Sequence, residues 1–297
     1  MLPIPVQYIE PVFRPPSEAR SFILQVTNGC SWNKCTFCEM YTQPQKAFRA
    51  RKDEEIFADI RRTAAIYPGL TRVFLADGDA MVLPVRRLTG ILQMLNDAFP
   101  ALERVSAYCL PRNQRRKSVE DLRALRELKL DIMYVGVESG CDTVLEKVQK
   151  GETAQSHLEA LIKIREAGLR SSVMVLNGLG GTRYWEAHAD DTAALMNKAQ
   201  PDFLSTLVVS FPLGRARLKS HFPEFELPDQ QGLFRELHRF ISGLELKQTV
   251  FRSDHASNYL PLKGTLNRDK RAILDVLEIA MTQPGKLRLR QEWERGL

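Results

Sequence analysis

The chain has 297 residues, of which 44% are hydrophobic and 26% charged, the balance of an ordinary globular protein. No run approaches about eighteen consecutive apolar residues, which excludes a membrane-spanning helix. The lack of low-complexity runs excludes intrinsic disorder. The first residues have neither a basic start nor an apolar stretch, so we expect no secretion signal and a cytoplasmic location.

The net charge is positive, because 42 Lys and Arg outnumber 36 Asp and Glu and give a formal +6. The basic residues are scattered, with small clusters at residues 112–117 and at Arg288 and Arg290. A mildly basic surface attracts nucleic acid or small anions, but it is also common on solvated faces that have neither partner. The charge therefore leaves nucleic acid open as a partner without favouring it.

The chain begins with an extended proline-rich arm, residues 1–20, which contains Pro3, Pro5, Pro11, Pro15 and Pro16. Short apolar runs then alternate with longer amphipathic segments. The short runs predict strands covered on both faces, as in a parallel sheet, at 22–27, 72–76, 104–108, 132–137, 172–176 and 203–209. The amphipathic segments predict helices at 53–66, 85–98, 118–128, 156–167 and 184–199.

This alternation favours consecutive right-handed βαβ units and an α/β fold. Six units are too few for a closed eight-stranded barrel, so we predict a partial (β/α)6 TIM-type barrel. A C-terminal helical and loop extension follows, with helices at 229–241 and 268–281 and an extended segment at 246–251. We expect residues 21–215 to form the core and residues 216–297 to close the barrel.

Three of the five cysteines lie in one loop directly after the first predicted strand. Cys30, Cys35 and Cys38 have the spacing Cys-x4-Cys-x2-Cys. Loops at the carboxyl ends of strands build the active sites of α/β folds. A structural zinc site needs four ligands and no fourth Cys or His follows nearby, whereas an iron–sulfur cluster with one open iron takes three thiolates. A zinc site completed from far away, or thiols without a ligand role, are the alternatives.

The cysteine loop resembles the signature of the radical S-adenosylmethionine (SAM) superfamily. The usual signature is Cys-x3-Cys-x2-Cys with an aromatic residue before the third cysteine, which is Phe37 in this chain. The departure is one extra residue between Cys30 and Cys35. The resemblance implies a [4Fe-4S] cluster held by Cys30, Cys35 and Cys38, with SAM bound at the open iron.

The segment F-L-A-D-G-D-A-M, at the end of the second predicted strand, stands where that superfamily has a Gly-Gly-Glu-like motif. The resemblance implies that Gly78 and Asp79 meet the amino group of SAM, although Asp is shorter than the usual Glu. Without the resemblance, Asp77 and Asp79 around a glycine indicate a tight turn or a magnesium site.

Two later segments resemble the branch of methylthiotransferases, the elongator catalytic subunit and anaerobic coproporphyrinogen oxidases. In Y-V-G-V-E-S-G, Glu138 and Ser139 are implied to face the ribose or carboxylate of SAM, and Lys150 stands where an Arg is common. In N-G-L-G-G-T, Gly178 and Gly180 are implied to lie beside the adenine. The alternatives are an exposed helix lysine for Lys150 and a weak phosphate cradle for the glycines.

Candidate substrate residues lie later in the chain and at the third strand. Arg215 and Arg217 could hold an anionic substrate, and His255 and Tyr259 lie in a polar stretch, 251–267, without periodicity of its own. Cys109, at the end of the third strand, and Cys141, after Gly140, are further candidates for hydrogen-atom transfer. The alternatives are that His255 and Tyr259 pin the loop to the core, and that Cys109, like Cys141, is a small buried residue.

The resemblance implies an enzyme that cleaves SAM reductively, forms a 5′-deoxyadenosyl radical and abstracts hydrogen from a small molecule. It also implies an electron donor such as flavodoxin or ferredoxin. An RNA-modifying enzyme would suit the positive charge, but relatives of that kind carry additional cluster and RNA-binding domains, which we do not expect here. A zinc-stabilised binding module is the non-enzyme alternative.

Overall fold

The computed structural model describes residues 6–296. Pro3 and Pro5 of the predicted arm therefore lie outside the described residues. The remainder of the arm runs beside the first strand, where the Gln25 side chain accepts a hydrogen bond from the Ile9 backbone nitrogen at 3.0 Å and donates one to its carbonyl oxygen at 3.3 Å.

The fold is α/β, as predicted, and its main sheet has eight mostly parallel strands. Residues 6–296 contain ten strands in all, of which the second and third form a small antiparallel pair. In chain order they are β1 (Phe22–Gln25), β2 (Thr27–Asn28), β3 (Arg49–Ala50), β4 (Arg72–Ala76), β5 (Arg104–Tyr108), β6 (Leu130–Glu138), β7 (Arg170–Asn177), β8 (Phe203–Val208), β9 (Thr249–Ser253) and β10 (Leu262–Leu266).

Nine α-helices lie between or after these strands in the same part of the chain. They are α1 (Asp53–Ile66), α2 (Val85–Ala98), α3 (Val119–Glu127), α4 (Asp142–Lys147), α5 (Ala154–Glu166), α6 (Gly181–Ala199), α7 (Ala216–Lys219), α8 (Gln230–Gly243) and α9 (Lys270–Thr282). Within residues 6–296, none of them has the length and hydrophobicity that a bilayer-spanning helix needs.

The predicted pattern of strands and helices is confirmed closely. β4, β5, α1 and α2 have the predicted bounds, and the other predicted strands and helices differ by a few residues at their ends. The extension differs more, because residues 251–267, predicted as a loop, contain the strand β10. The sequence does not predict this strand, because its residues show no clear alternation of apolar and polar side chains. In the structure its interior residues are accordingly exposed or only partly buried.

The described chain divides into two compact units. The first comprises residues 6–33, 38–135 and 162–171, and the second comprises residues 34–37, 136–161 and 172–296. Two divisions fall in the cysteine loop, at 33/34 and 37/38, and the other three fall inside strand β6, helix α5 and strand β7.

In the first unit, β1, β4, β5 and β6 are parallel neighbours in that order. Residues 73–76 of β4 are completely buried, which matches the predicted covering of both faces. Helix α3 begins with a capping box, since Asp121 N donates to Ser118 Oγ at 3.0 Å and the Asp121 carboxylate accepts from Ser118 N at 2.8 Å. The helix therefore starts with two of its free N–H groups satisfied.

In the second unit, β7, β8 and β9 are parallel neighbours and β10 pairs antiparallel with β9. One side chain from the β9–β10 connection completes the hydrogen bonding of β8. Asn258 Oδ1 accepts from Val208 N at 2.9 Å, and Asn258 Nδ2 donates to the carbonyl oxygen of Thr206 at 2.8 Å. The amide of this buried side chain thus bonds β8 as a neighbouring strand would.

Replacing Asn258 by Ala should destabilise the protein by about 1–3 kcal/mol, because a buried N–H and a buried carbonyl lose their partner. The measurement is the midpoint of urea unfolding. Lys263→Ala, at an exposed position of β10, is the control and should change stability by about 0.5 kcal/mol or less. Equal midpoints for the two variants would contradict this role of Asn258.

Candidate functional site

The three cysteines of the loop after β1 are each partly exposed and form no disulfide. Cys30 and Cys38 belong to the first unit and Cys35 to the second. Across residues 6–296, no three Cys, His, Asp or Glu side chains are already assembled around a common point. Thiolate sites often form together with their metal, so the ligand role of these cysteines stays a prediction.

In the first unit, two buried aspartates at the end of β4 bond the residues on both sides of Cys30. Asp77 Oδ2 accepts a hydrogen bond from the Gly29 backbone nitrogen at 3.1 Å. The Asp79 carboxylate accepts one from the hydroxyl of Ser31. The D-G-D segment thus holds the backbone around the first cysteine of the motif.

The Asp79 carboxyl group is completely buried. It accepts a second hydrogen bond from the Asn113 side-chain amide. Burial raises the pKa of Asp79, although the bonds from Ser31 and Asn113 oppose the shift. The predicted contact of Asp79 with the amino group of SAM stays a prediction.

Asp77 forms a buried ion pair with Lys46, and neither side chain is exposed to solvent. Lys46 Nζ also donates to the carbonyl oxygen of Ile9 at 2.8 Å, and Gln25 Nε2 donates to Asp77 Oδ2 at 3.0 Å. Such pairs are stable only when further hydrogen bonds support the ions. Here the bonds to the Asp77 carboxylate all reach Oδ2, while Asp77 Oδ1 is buried without a hydrogen-bond partner within residues 6–296. The pair therefore holds Asp77 in place beside Gly29.

Gly78 is required because an aromatic ring packs against it. A Cβ atom at Gly78 would lie 2.4 Å from the ring of Tyr41, far inside van der Waals contact. Tyr41 is buried, and burial together with the nearby Asp77 carboxylate raises the pKa of its hydroxyl well above the ordinary value. Gly78, which is predicted to contact SAM, thus also leaves room for the ring of Tyr41.

Cys109, the candidate at the end of β5, is almost completely buried. Its sulfur accepts a hydrogen bond from Gln114 Nε2 at 2.7 Å. This environment is the one expected for a small buried residue, and a catalytic role of Cys109 stays a prediction.

In the second unit, Phe37 packs against an apolar cluster, and the backbone beside it is fixed. Thr36 N donates to the carbonyl oxygen of Val148 at 3.0 Å. The cluster contains Cys141, Val144, Val148, Leu179, Val209, Leu218, Phe222 and Phe225. Lys150 Nζ lies 5.9 Å from the centre of the Phe37 ring, within the range of a cation–π contact.

Lys150 and Glu138 form a buried ion pair, with 3.2 Å between Nζ and Oε1. Lys150 is therefore not the exposed helix lysine of the alternative interpretation. Glu138 has a φ of 65°, which is unusual for a residue other than glycine. Its second oxygen, Oε2, is buried and has no hydrogen-bond partner within residues 6–296.

Ser139 is completely buried, and its hydroxyl is hydrogen-bonded to other residues of the second unit. It lies 2.7 Å from His188 Nδ1 and accepts a hydrogen bond from Cys141 N at 3.0 Å. His188 is neutral at physiological pH, because burial lowers its pKa to about 4. The part of the motif predicted to face SAM therefore also serves to attach β6 to α6.

Gly178 and Gly180 lie in the turn between β7 and α6, and Gly180 caps the start of α6. Gly178 has a φ of 87°, which favours glycine. Its backbone nitrogen donates to Glu236 Oε1 at 2.6 Å. Glu236 lies on α8, and burial raises its pKa to about 8 despite this hydrogen bond.

Comparison with known proteins identifies the family. The sequence profile of the radical SAM superfamily matches residues 24–193, which is more than half of the chain. The chain belongs to the radical SAM superfamily. It is 24% identical over 157 residues to a candidate methylthiotransferase of Methanocaldococcus jannaschii, covering 50% of this chain and 33% of that protein. It is 22% identical over 189 residues to the heme chaperone HemW of Bacillus subtilis, covering 63% and 48%.

The radical SAM fold is also seen in a solved structure. Coproporphyrinogen III oxidase (HemN) from Escherichia coli matches 75% of this chain and 51% of its own, with a TM-score of 0.57 and 16% identity. These relatives agree with the branch predicted from the sequence. The chain spans a third of one curated relative and about half of the other, so their activities do not transfer to it by similarity alone.

His255 and Tyr259 are both bonded to the C-terminal segment of the radical SAM chain. Arg290 Nη1 donates to the carbonyl oxygen of His255 at 2.6 Å. The hydroxyl of Tyr259 donates to Glu292, and the Arg295 guanidinium lies 3.8 Å from the centre of the Tyr259 ring. These contacts attach the loop to the C-terminal segment and decide neither interpretation, so a role of either residue in the chemistry stays a prediction.

Several residues that support the radical SAM motifs were missed in the sequence. Lys46, Tyr41 and Asn113 have no local signal, because their partners lie far away in the chain. Glu236 does have one, since it lies on the apolar face of α8 with Leu233, Leu237 and Phe240. A charged residue on such a face indicates a buried polar contact.

The raised pKa of Glu236 predicts a pH dependence of stability. Between about pH 4.5 and pH 8 the folded protein holds a proton that the unfolded chain releases, so stability falls as the pH rises, by at most about 1.4 kcal/mol per pH unit. Glu236→Gln removes this loss. The free energy of unfolding of the variant should therefore rise relative to that of the wild type from about pH 5 to about pH 8, as measured by urea unfolding.

The control for this experiment is Glu245→Gln, at an exposed position. Its stability difference from the wild type should stay constant over the same range. A constant difference for Glu236→Gln would show that Glu236 titrates normally.

Proposed function

We propose that this chain is an enzyme that cleaves SAM reductively at a [4Fe-4S] cluster and uses the resulting 5′-deoxyadenosyl radical to abstract hydrogen from a small molecule. The observation that carries the proposal is the Cys-x4-Cys-x2-Cys loop after β1, which lies within the residues that match the superfamily. The proposal takes residues 21–215 as the core and residues 216–297 as the extension.

The donor set suits such a cluster. Thiolates are the ligands that iron–sulfur clusters prefer, and three of them leave one iron open to a further ligand. Cys30, Cys35 and Cys38 lie within nine consecutive residues and are all partly exposed, so their sulfurs are accessible. Cys109 and Cys141 are buried and belong to the core.

Glu138 has an acceptor oxygen for a polar ligand, and Lys150 places a positive charge beside it. Glu138 Oε2 has no partner among residues 6–296 and can accept a hydrogen bond from a ribose hydroxyl. The Lys150 ammonium supplies a positive charge for the carboxylate of SAM, as a point charge and without the bidentate geometry of an Arg. These roles support the assignments of both residues as SAM contacts.

The assignment of Gly178 and Gly180 to the adenine rests on the resemblance of the motif. The space that a side chain would take at these glycines is already filled, by Leu233 at Gly178 and by Tyr184 and His188 at Gly180, so an adenine would have to approach another side of the turn. Phe37 lies in the same unit and covers an apolar cluster that would limit the access of water.

We propose an anionic small molecule as the substrate and a small electron-transfer protein as the electron donor. Arg215 is exposed and Arg217 is partly exposed at helix α7, where their positive charges suit an anionic small molecule. The cluster needs one electron for each cleavage of SAM, and a flavodoxin or ferredoxin is a suitable donor. A reducing cytoplasm would keep the three thiols available.

A second candidate function is the modification of RNA. It is favoured by the similarity to a candidate methylthiotransferase and agrees with the formal charge of +6. The similarity covers a third of that protein, so small-molecule chemistry remains the first proposal.

Anaerobic reconstitution with iron and sulfide should load the protein with a cluster of about four irons and four sulfides per chain. Reduction in the presence of SAM should then release 5′-deoxyadenosine, which chromatography detects. Folded protein that takes up neither iron nor sulfide would disprove the proposal. Bound zinc with no affinity for SAM would identify a zinc-stabilised module instead.

Replacing Cys35 by Ala should abolish cluster loading, because two thiolates do not hold the cluster, while the far-UV circular dichroism remains that of the wild type. The matched control is Cys141→Ala, which removes a buried thiol of the core and should load normally. Iron and sulfide contents report the result. Normal loading of the Cys35 variant would show that the ligand assignment is wrong.

A further inference from the structure

Helix α6 carries two polar side chains, one turn apart, that hold consecutive residues at the end of β6. His188 Nδ1 lies 2.7 Å from Ser139 Oγ, and the Gly140 backbone nitrogen donates to Thr192 Oγ1 at 2.7 Å. The helix backbone comes so close that a Cβ atom at Gly140 would lie 2.5 Å from the carbonyl oxygen of Asp191. The backbone directly after Glu138 is therefore fixed to α6.

The hydrogen bonds of His188 assign its tautomer. Nε2 lies 3.1 Å from the carbonyl oxygen of Leu176, which can only accept, so Nε2 carries the proton. Nδ1 is then the acceptor, and the Ser139 hydroxyl donates to it. One neutral imidazole thus joins the end of β6 to the end of β7.

Helix α8 holds the turn that follows β7. Gly178 N donates to Glu236 Oε1, and Asn177 Nδ2 donates to the carbonyl oxygen of Leu233 at 3.2 Å. Glu236 Oε1 also lies 3.5 Å from Nε2 of His188. The Glu236 carboxyl therefore meets both the glycine turn and the imidazole that holds Ser139.

A small cavity of about 10 Å³ lies beside this cluster. Its lining includes Asn177, Thr206 and Glu236, and each of them has a buried side-chain oxygen without a partner within residues 6–296. The volume suits one water molecule and no larger ligand. The cavity therefore has room for no more than one water, and we interpret the cluster as a support of the neighbouring segments.

We propose that His188 and Glu236 are positioning residues for SAM. The His188 side chain fixes the backbone next to Glu138, and the Glu236 carboxyl fixes the Gly178 turn. Because His188 and Glu236 also lie next to each other, they hold the two SAM-contacting segments in one arrangement. The inference rests on the proposed function, since it takes Glu138 and Gly178 as SAM contacts. The inference also implies that the C-terminal extension helps to position SAM, because Glu236 belongs to α8.

The test uses the full chain with its cluster reconstituted, and measures SAM binding by equilibrium dialysis under anaerobic conditions. Glu236→Leu leaves the Gly178 N–H without an acceptor and should weaken SAM binding at least tenfold. The iron content should stay that of the wild type. Glu236→Gln keeps an acceptor oxygen and should restore binding to within about twofold. Glu245→Leu, at an exposed position, is the matched control and should bind as the wild type does.

Hydrogen exchange followed by mass spectrometry gives a readout that does not depend on SAM. In Glu236→Leu, a peptide covering residues 176–182 should exchange faster than in the wild type, while peptides of β4 should not change. If Glu236→Leu does not fold, Glu236→Asp replaces it, because its carboxyl is one methylene too short to reach Gly178. We expect at least threefold weaker SAM binding for that variant.

Two results would overturn the inference, and they are distinguishable. SAM binding of the folded Glu236→Leu or Glu236→Asp variant within twofold of the wild type would refute the positioning role while leaving the proposed function intact. A cluster-loaded wild type that does not bind SAM would refute the proposed function and the inference together. Weaker binding with unchanged iron content, together with faster exchange at residues 176–182, would support the positioning role.

Discussion

Charged and polar side chains buried at the carboxyl ends of the parallel strands need partners, and this need determines how the motif segments are held. In the first unit Asp77, after β4, pairs with Lys46. In the second unit Glu138, at the end of β6, pairs with Lys150. Removing one member of such a pair leaves a buried charge and costs about 3–5 kcal/mol. The ends of the strands are therefore held by specific electrostatic pairs in addition to apolar packing.

Several motif residues have a structural task as well as the proposed contact with SAM. Gly78 admits the ring of Tyr41, Ser139 donates to His188, and Gly178 N donates to Glu236. A substitution at any of these positions would disturb the support of the site along with the contact to the ligand. Activity measurements alone would not separate the two effects, whereas binding and hydrogen exchange would.

The C-terminal extension takes part in the sheet and in the support of the motif segments. It adds β9 and β10 to the sheet, closes the hydrogen bonds of β8 through Asn258 and supplies Glu236. Its last residues bond the segment that contains His255 and Tyr259. The loop that contains these two candidate residues is thus attached to the C-terminal segment, and their role in the chemistry stays a prediction.

The sequence by itself determined the α/β class, most strands and helices, the cysteine loop and the superfamily. These depend on local periodicity and on fixed spacing, which a single segment carries. Only the tertiary structure decided which residues pair with the motif residues. Lys46 forms an ion pair with Asp77, and His188 and Glu236 form hydrogen bonds with Ser139 and Gly178. The partners of each pair lie between 31 and 58 residues apart in the chain. Local sequence indicates burial for Glu236, through the apolar face of α8, but not for Lys46. For neither residue does it identify the partner, because that depends on which distant segment packs against it.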